Sequence, residues 1–172
     1  MSDKSKTTAA NRPKVVIERS YRATPQELWE LWTTKDGFES WWGPEGFRVE
    51  VHEIDARLGG ALRYDMIAET TEMIAAMKKM GQPVSHKTHG TFSQLEHHRR
   101  LALTHVIDFL PGVKTYEATT VMELFPSGEN VRMVVQLSGM HSAEMTGMQL
   151  KGFTSQLGKL DKRFGGAVSG SA

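Results

Sequence analysis

The chain has 172 residues, of which 39% are hydrophobic and 24% are charged, and this composition fits a globular domain with a sizeable core. Its formal net charge of +1 gives no electrostatic reason to expect a nucleic acid or an anionic membrane as partner. The absence of cysteine excludes disulfides, thiolate zinc sites and a thiol nucleophile.

The chain begins with a polar segment that lacks the apolar core of a signal peptide, and no run approaches the roughly 18 apolar residues of a membrane span. We therefore expect a cytoplasmic protein. Residues 1–12 and 165–172 are small and polar, and we expect both tails to be disordered. The intervening residues 13–164 show no linker or repeat, which predicts a single domain.

The first elements are a strand and two short helices. The β-branched residues of "KVVIERSY" (14–21) predict a strand. In "ATPQELWELW", Thr24 suits an N-cap, Pro25 suits the first helical position and Glu27 completes a capping box. A second short helix is predicted over 35–42.

From Phe47 the apolar residues alternate with polar ones, as in strands with one buried face. Six strands are predicted in four segments, which are "FRVEVHEI", "RLGGALRYDMIAE" with a turn at 59–60, "THGTFSQLEHHRRLALTHVI" with a turn near 97–99, and "YEATTVMELFPSGENVRMVVQL" with a turn at 126–130. A helical insertion at 70–81 interrupts them, with Met73, Met77 and Met80 at helical spacing. This insertion either folds over a cavity as a lid or packs permanently on the sheet.

The last predicted element is a long helix over about 142–164, capped by Ser142. Gly152 in its middle costs about 1 kcal/mol relative to alanine unless a close approach requires it. Strands bracketed by helices indicate an α+β fold with an antiparallel sheet. The long helix can cover the concave face of that sheet, and such an arrangement commonly leaves a small-molecule cavity.

Several motifs resemble a known family. They are "ATPQELWELWTT", "WWGPEGF", "IDARLGGALRYDM", "HGTFSQLEHHRRLALTH" and "DFLPGVKTYEATTVMEL". In this order they resemble the SRPBCC superfamily, which has the START and birch-pollen-allergen helix-grip fold. Within it, the chain is similar over about 15–164 to the family named after the activator of the ninety-kilodalton heat-shock protein's ATPase. That family usually shows Gly-Trp in its closing helix, where this chain has Gly152-Phe153.

The resemblance implies a curved antiparallel sheet of about seven strands wrapped around a long C-terminal helix, with two short helices after the first strand. A chaperone activator of this kind would also carry a second, N-terminal module. The 172 residues leave no room for it, so we do not expect a chaperone partner. The sequence is compatible with a homodimer.

All four tryptophans lie between positions 29 and 42. Trp29 and Trp32 fall on one helical face and are predicted to be core. Trp41 and Trp42 are adjacent, and neighbours on a helix point about 100° apart. We therefore expect one of them in the core and the other at a pocket mouth or on the surface, where it lines a ligand or contacts a partner.

Two polar residues fall on predicted inward positions. Tyr64 is in phase with its apolar neighbours on the third strand, and His105 is in phase with Leu103. His105 is interpreted either as a satisfied core histidine or as a pocket donor. The pairs at 86/89 and 97/98 lack further ligands in a recognised pattern, so we expect no metal and no cofactor.

These observations lead to three hypotheses. The first is a binding protein that holds a hydrophobic or amphipathic small molecule between the sheet and the closing helix. The predicted ligand-binding residues are Trp41, Trp42, Tyr64, Met66, Phe92, Leu103, His105, Met133 and Phe153. The second is a cyclase- or dehydratase-like enzyme with Tyr64 and His105 as acid–base groups. The third is an interaction or stress-response module that uses an exposed tryptophan in the "WGPEGF" loop.

Overall fold

Eight strands and four helices form the part of the chain that this computed structural model describes, which is residues 14–108, 112–164 and the backbone of 168–169. The elements in chain order are β1 (Val15–Tyr21), α1 (Pro25–Thr33), α2 (Lys35–Glu39), β2 (Phe47–Ile54), β3 (Ala61–Ala68), α3 (Thr71–Lys79), β4 (Ser85–Glu96), β5 (Arg100–Ile107), β6 (Tyr116–Ser127), β7 (Asn130–Leu137), α4 (Ala143–Arg163) and β8 (Val168–Ser169).

All eight strands belong to one antiparallel sheet with the order β2-β3-β4-β5-β6-β7-β1-β8. Consecutive strands from β2 to β7 are hydrogen-bonded neighbours. The exception is β1, which pairs with β7 in a register that joins Val15 to Leu137 and Tyr21 to Val131. The first strand of the chain is therefore inserted between the seventh strand and the short eighth one.

The helix starts agree with the sequence predictions. The Thr24 hydroxyl accepts a hydrogen bond from the Glu27 backbone at 3.1 Å, and the Glu27 carboxylate accepts one from the Thr24 backbone at 2.8 Å. This is the predicted capping box. Ser142 caps α4 by accepting from the Met145 backbone at 3.1 Å.

The closing helix α4 packs against the sheet through one stripe. Its buried residues are Thr146, Phe153, Gln156, Leu157 and Leu160. The three apolar members of this stripe join a core cluster that also contains the tryptophans of α1. Because the stripe recurs at three- and four-residue steps, one side of the helix covers the sheet while the other faces solvent.

The predicted α+β helix-grip architecture is confirmed. Two differences concern boundaries: α2 ends at Glu39 rather than near 42, and Val168–Ser169 forms a strand that the sequence did not predict. The predicted disorder of 1–12, 165–167 and 170–172 falls on residues outside the described part of the chain. Among the described helices, none combines the length and the apolar character that crossing a bilayer requires.

Candidate functional site

A cavity of about 320 Å³ lies between the sheet and α4. Four strands each present two residues of one face to it, spaced two apart as the period of a strand requires. These pairs are Tyr64 and Met66 on β3, His86 and Thr88 on β4, His105 and Ile107 on β5, and Ala118 and Thr120 on β6. The opposite wall is formed by α4 residues Met145, Met148, Gln149, Gly152, Phe153 and Gln156.

A hydrogen-bonded chain crosses the sheet side of this cavity. The Trp42 indole Nε1 donates to the Tyr64 hydroxyl oxygen at 3.1 Å, and that hydroxyl lies 3.0 Å from His105 Nε2. The direction of the contact with His105 follows the imidazole tautomer. With the ring proton on Nδ1 the Tyr64 hydroxyl donates to Nε2, and with the ring proton on Nε2 it accepts.

Burial keeps both ends of the Tyr64–His105 contact uncharged. Burial raises the pKa of the Tyr64 phenol well above its ordinary value of 10. Burial, with a smaller contribution from the nearby His89, lowers the pKa of His105 from 6.5 to about 4. At neutral pH the pair is a neutral phenol hydrogen-bonded to a neutral imidazole.

The helix side of the cavity carries two amide side chains. Gln156 is 4% exposed, and its Oε1 accepts a hydrogen bond from the backbone N–H of Gly43 at 2.9 Å. Its Nε2 is buried and has no hydrogen-bond partner among the described residues. The same holds for Oε1 of Gln149, two turns earlier on the same face of α4.

None of the described residues that line the cavity is Asp, Glu, Lys or Arg. The remaining titratable lining residue is His86, and burial lowers its pKa. The cavity wall is thus apolar, with a few neutral hydrogen-bonding groups. This is the usual composition of a site for a small molecule.

Five of the nine predicted ligand-binding residues line the cavity, namely Trp42, Tyr64, Met66, His105 and Phe153. The structure places the other four in the core, away from the cavity: Trp41, Phe92, Leu103 and Met133 are each at most 1% exposed. Phe92, Leu103 and Met133 do point into the domain, as their alternation predicts. They pack elsewhere in the core, and alternation does not specify where along a strand the cavity lies.

Trp41 is 0% exposed and lies in the core, and Trp42 is 6% exposed and lines the cavity. Of the two positions expected for the second indole, the one at the pocket agrees with the structure and the one on the surface is wrong. The argument assumed that both belong to a helix, but α2 ends at Glu39 and both residues follow its C-cap. In that turn the two indoles pack edge to face with ring centroids 5.1 Å apart, and both contact Trp32. Trp41 Nε1 donates to the Leu31 carbonyl at 2.8 Å, which leaves Trp42 as the indole at the cavity. Burial of both counts against an interaction module built on an exposed tryptophan.

The methionine-containing insertion α3 contributes no residue to the cavity wall. None of its residues is fully buried, and Met73 packs near Gly46 in the loop before β2. The lid interpretation therefore gains no support, and α3 is a partly buried helix at the edge of the domain.

Neither histidine pair forms a shared site. His86 lines the cavity, whereas His89 Nε2 lies 3.1 Å from the Asp108 carboxylate. His97 and His98 lie in the turn between β4 and β5, where they stack against each other beside Trp29. Among the described residues, no group of three His, Asp or Glu side chains is close enough to hold a metal ion.

The sequence interpretation missed Gln149 and Gln156. Both fall in phase with Phe153 and Leu160, so they share the apolar stripe of α4. A glutamine in an otherwise apolar stripe was the signal that could have identified them.

The fold and the cavity define a helix-grip protein, in which a curved antiparallel sheet holds a long helix above a small-molecule-sized space. The chain belongs to the family described as activator of Hsp90 ATPase homolog 1-like protein, whose model matches residues 22–165. No curated protein matches the chain.

Solved structures of similar fold come from several bacteria. A protein from Chromobacterium violaceum is 22% identical with a TM-score of 0.73, and the match covers 88% of this chain and 96% of that one. The AHSA1 protein from Silicibacter pomeroyi is 20% identical with a TM-score of 0.69 and the same coverage, 88% and 96%. A protein from Arthrobacter aurescens is 17% identical with a TM-score of 0.70, covering 90% and 87%. At these identities the likeness shows the fold alone.

Proposed function

We propose that this protein binds a small hydrophobic or amphipathic molecule in the cavity between the sheet and α4. The observation that carries the proposal is the composition of the cavity wall, which is apolar with a few neutral polar groups directed at one space. Its 320 Å³ equals the volume of about ten water molecules, which suits a compact ligand of one or two rings.

A cavity-filling substitution tests the proposal. Gly152 lines the cavity from α4, and a Cβ built there meets no atom within 4 Å. A leucine at 152 therefore fits on the helix and extends its side chain into the space that a ligand needs. Gly158 on the same helix also has nothing within 4 Å but does not line the cavity, so Gly158→Leu is the matched control.

The probe is 2-acetylnaphthalene, measured by equilibrium dialysis against the purified chain. We expect saturable one-to-one uptake by the wild type, at least about tenfold weaker uptake by Gly152→Leu, and little change in Gly158→Leu, because only the first variant removes ligand volume. The proposal fails if the wild type takes up no probe or if both variants bind it as the wild type does.

Acid–base catalysis is the second candidate function, and the 3.0 Å contact between Tyr64 and His105 favours it. We rank it below binding because the Tyr64 hydroxyl and the imidazole Nε2 of His105 are already hydrogen-bonded to each other. A ligand recovered unchanged after incubation with the protein would argue against catalysis. Conversion that is lost in Tyr64→Phe would establish it.

A further inference from the structure

Gln156 lines the cavity and carries a buried hydrogen-bond donor. Gln156 is 4% exposed. The backbone N–H of Gly43 donates to Gln156 Oε1 at 2.9 Å, and this bond identifies which end of the amide is the oxygen. The Nε2 end is then left buried without a partner among the described residues, on a residue that lines the cavity. A buried donor without an acceptor raises the free energy of the folded chain. A ligand that accepts its hydrogen bond removes this destabilisation.

The Tyr64 hydroxyl on the opposite wall is already engaged. It accepts from Trp42 Nε1 at 3.1 Å and is hydrogen-bonded to His105 Nε2 at 3.0 Å. Gln156 Nε2 is in contrast a donor without a partner among the described residues, so a ligand can recruit it without breaking a bond of the protein.

The cavity offers no charge to balance a charged ligand. Its described lining residues include no acidic or basic side chain, and burial lowers the pKa of His86 and of His105, so both are neutral near pH 8. A carboxylate or ammonium group would lose its hydration there without gaining a counter-charge.

We infer that the cavity selects an uncharged ligand with an apolar body and a hydrogen-bond acceptor, such as a ketone or ester carbonyl, that accepts from Gln156 Nε2. This inference rests on the proposed function and adds the chemical class of the ligand. It also assigns Gln156 as the residue that sets polar specificity.

Three probes of matched shape test the inference by equilibrium dialysis at pH 8. In 2-acetylnaphthalene the group that meets Gln156 is a carbonyl, in 2-isopropenylnaphthalene it is an apolar isostere, and in 2-naphthoate it is a carboxylate. The quantity compared is the ratio of the acetyl to the isopropenyl affinity in the wild type and in Gln156→Met. Taking this ratio in both proteins cancels the different hydrophobicity of the two probes.

We expect Gln156→Met to lower that ratio about tenfold, because only the acetyl probe uses the lost donor. Gln136→Met, on the partly exposed face of β7, is the matched control and leaves the ratio unchanged. The wild type should bind 2-naphthoate at least about tenfold more weakly than the acetyl probe.

A measurement on the wild type alone covers the case in which Gln156→Met does not fold. In NMR spectra, the side-chain amide protons of Gln156 should shift on addition of 2-acetylnaphthalene and stay in place with 2-isopropenylnaphthalene. Three results would overturn the inference while the binding function stands. They are an acetyl-to-isopropenyl affinity ratio that is equal in wild type and Gln156→Met, a Gln156 amide signal that does not shift with 2-acetylnaphthalene, and tight binding of 2-naphthoate. Failure of the wild type to bind any of the three probes would instead overturn the proposed function, and the inference with it.

Discussion

Acid should destabilise the folded chain through His105. Burial lowers the pKa of His105 in the folded chain to about 4, against 6.5 for an ordinary histidine. The unfolded chain therefore binds this proton more readily, so the associated stability is complete above about pH 6.5 and is lost as the pH falls towards 4. Over the full window the free energy of unfolding falls by up to about 3 kcal/mol, and by up to about 2 kcal/mol at pH 5. These are upper values, because the residue as a whole is only partly buried.

Urea unfolding of the wild type and of His105→Gln at pH 7.5 and 5.0 measures this effect. A glutamine can still donate to or accept from the Tyr64 hydroxyl but does not titrate, and carboxylates that titrate in both proteins cancel in the comparison. We expect the wild type to lose between about 1 and 2 kcal/mol more than His105→Gln between the two pH values. His97→Gln, at an exposed turn position, is the control and should follow the wild type. Parallel pH dependence of wild type and His105→Gln would refute the reasoning.

Two further predictions concern stability. Tyr64→Phe leaves the indole N–H of Trp42 and Nε2 of His105 without their shared partner, so we expect urea unfolding to show a loss of about 2 to 4 kcal/mol; a loss under about 1 kcal/mol would contradict the assigned network. Gly90→Ala should cost at least about 2 kcal/mol in thermal unfolding, because its Cβ would lie 2.4 Å from the Thr104 carbonyl oxygen on the neighbouring strand. Gly158→Ala, in open space on α4, should instead gain up to about 1 kcal/mol, and equal effects of the two substitutions would show that the close approach at Gly90 does not matter.

Alternation along the strands correctly predicted which face of the sheet several cavity residues occupy. Tyr64, Met66 and His105 were expected to point inwards, and all three line the cavity. The same rule selected Phe92 and Leu103, which lie on inward faces but in the packed core. Strand periodicity specifies a face, whereas the position of α4 above the sheet is a tertiary property that no local pattern records.

The burial of both Trp41 and Trp42 has a different cause. The 100° argument is correct for a helix, but helix ends are uncertain by one or two residues and α2 ends before them, so neither indole takes the surface position that the argument allowed. Gln156 was missed for a third reason. Its role depends on a backbone N–H at Gly43, and such a contact between distant segments is not visible in either segment alone.

The insertion of β1 between β7 and β8 has a consequence for how the chain folds. Strand β1 leads the sequence, yet its hydrogen-bonded partner across most of its length is β7, with residue 15 against residue 137. Consecutive strands from β2 to β7 can form local hairpins early, whereas closing the sheet at β1 requires almost the whole domain to be present. During synthesis, the final packing partners of the aromatic helices that follow β1 are complete only when β7 and α4 have emerged. The topology therefore predicts that the N-terminal segment docks late in folding, onto strands that have already paired.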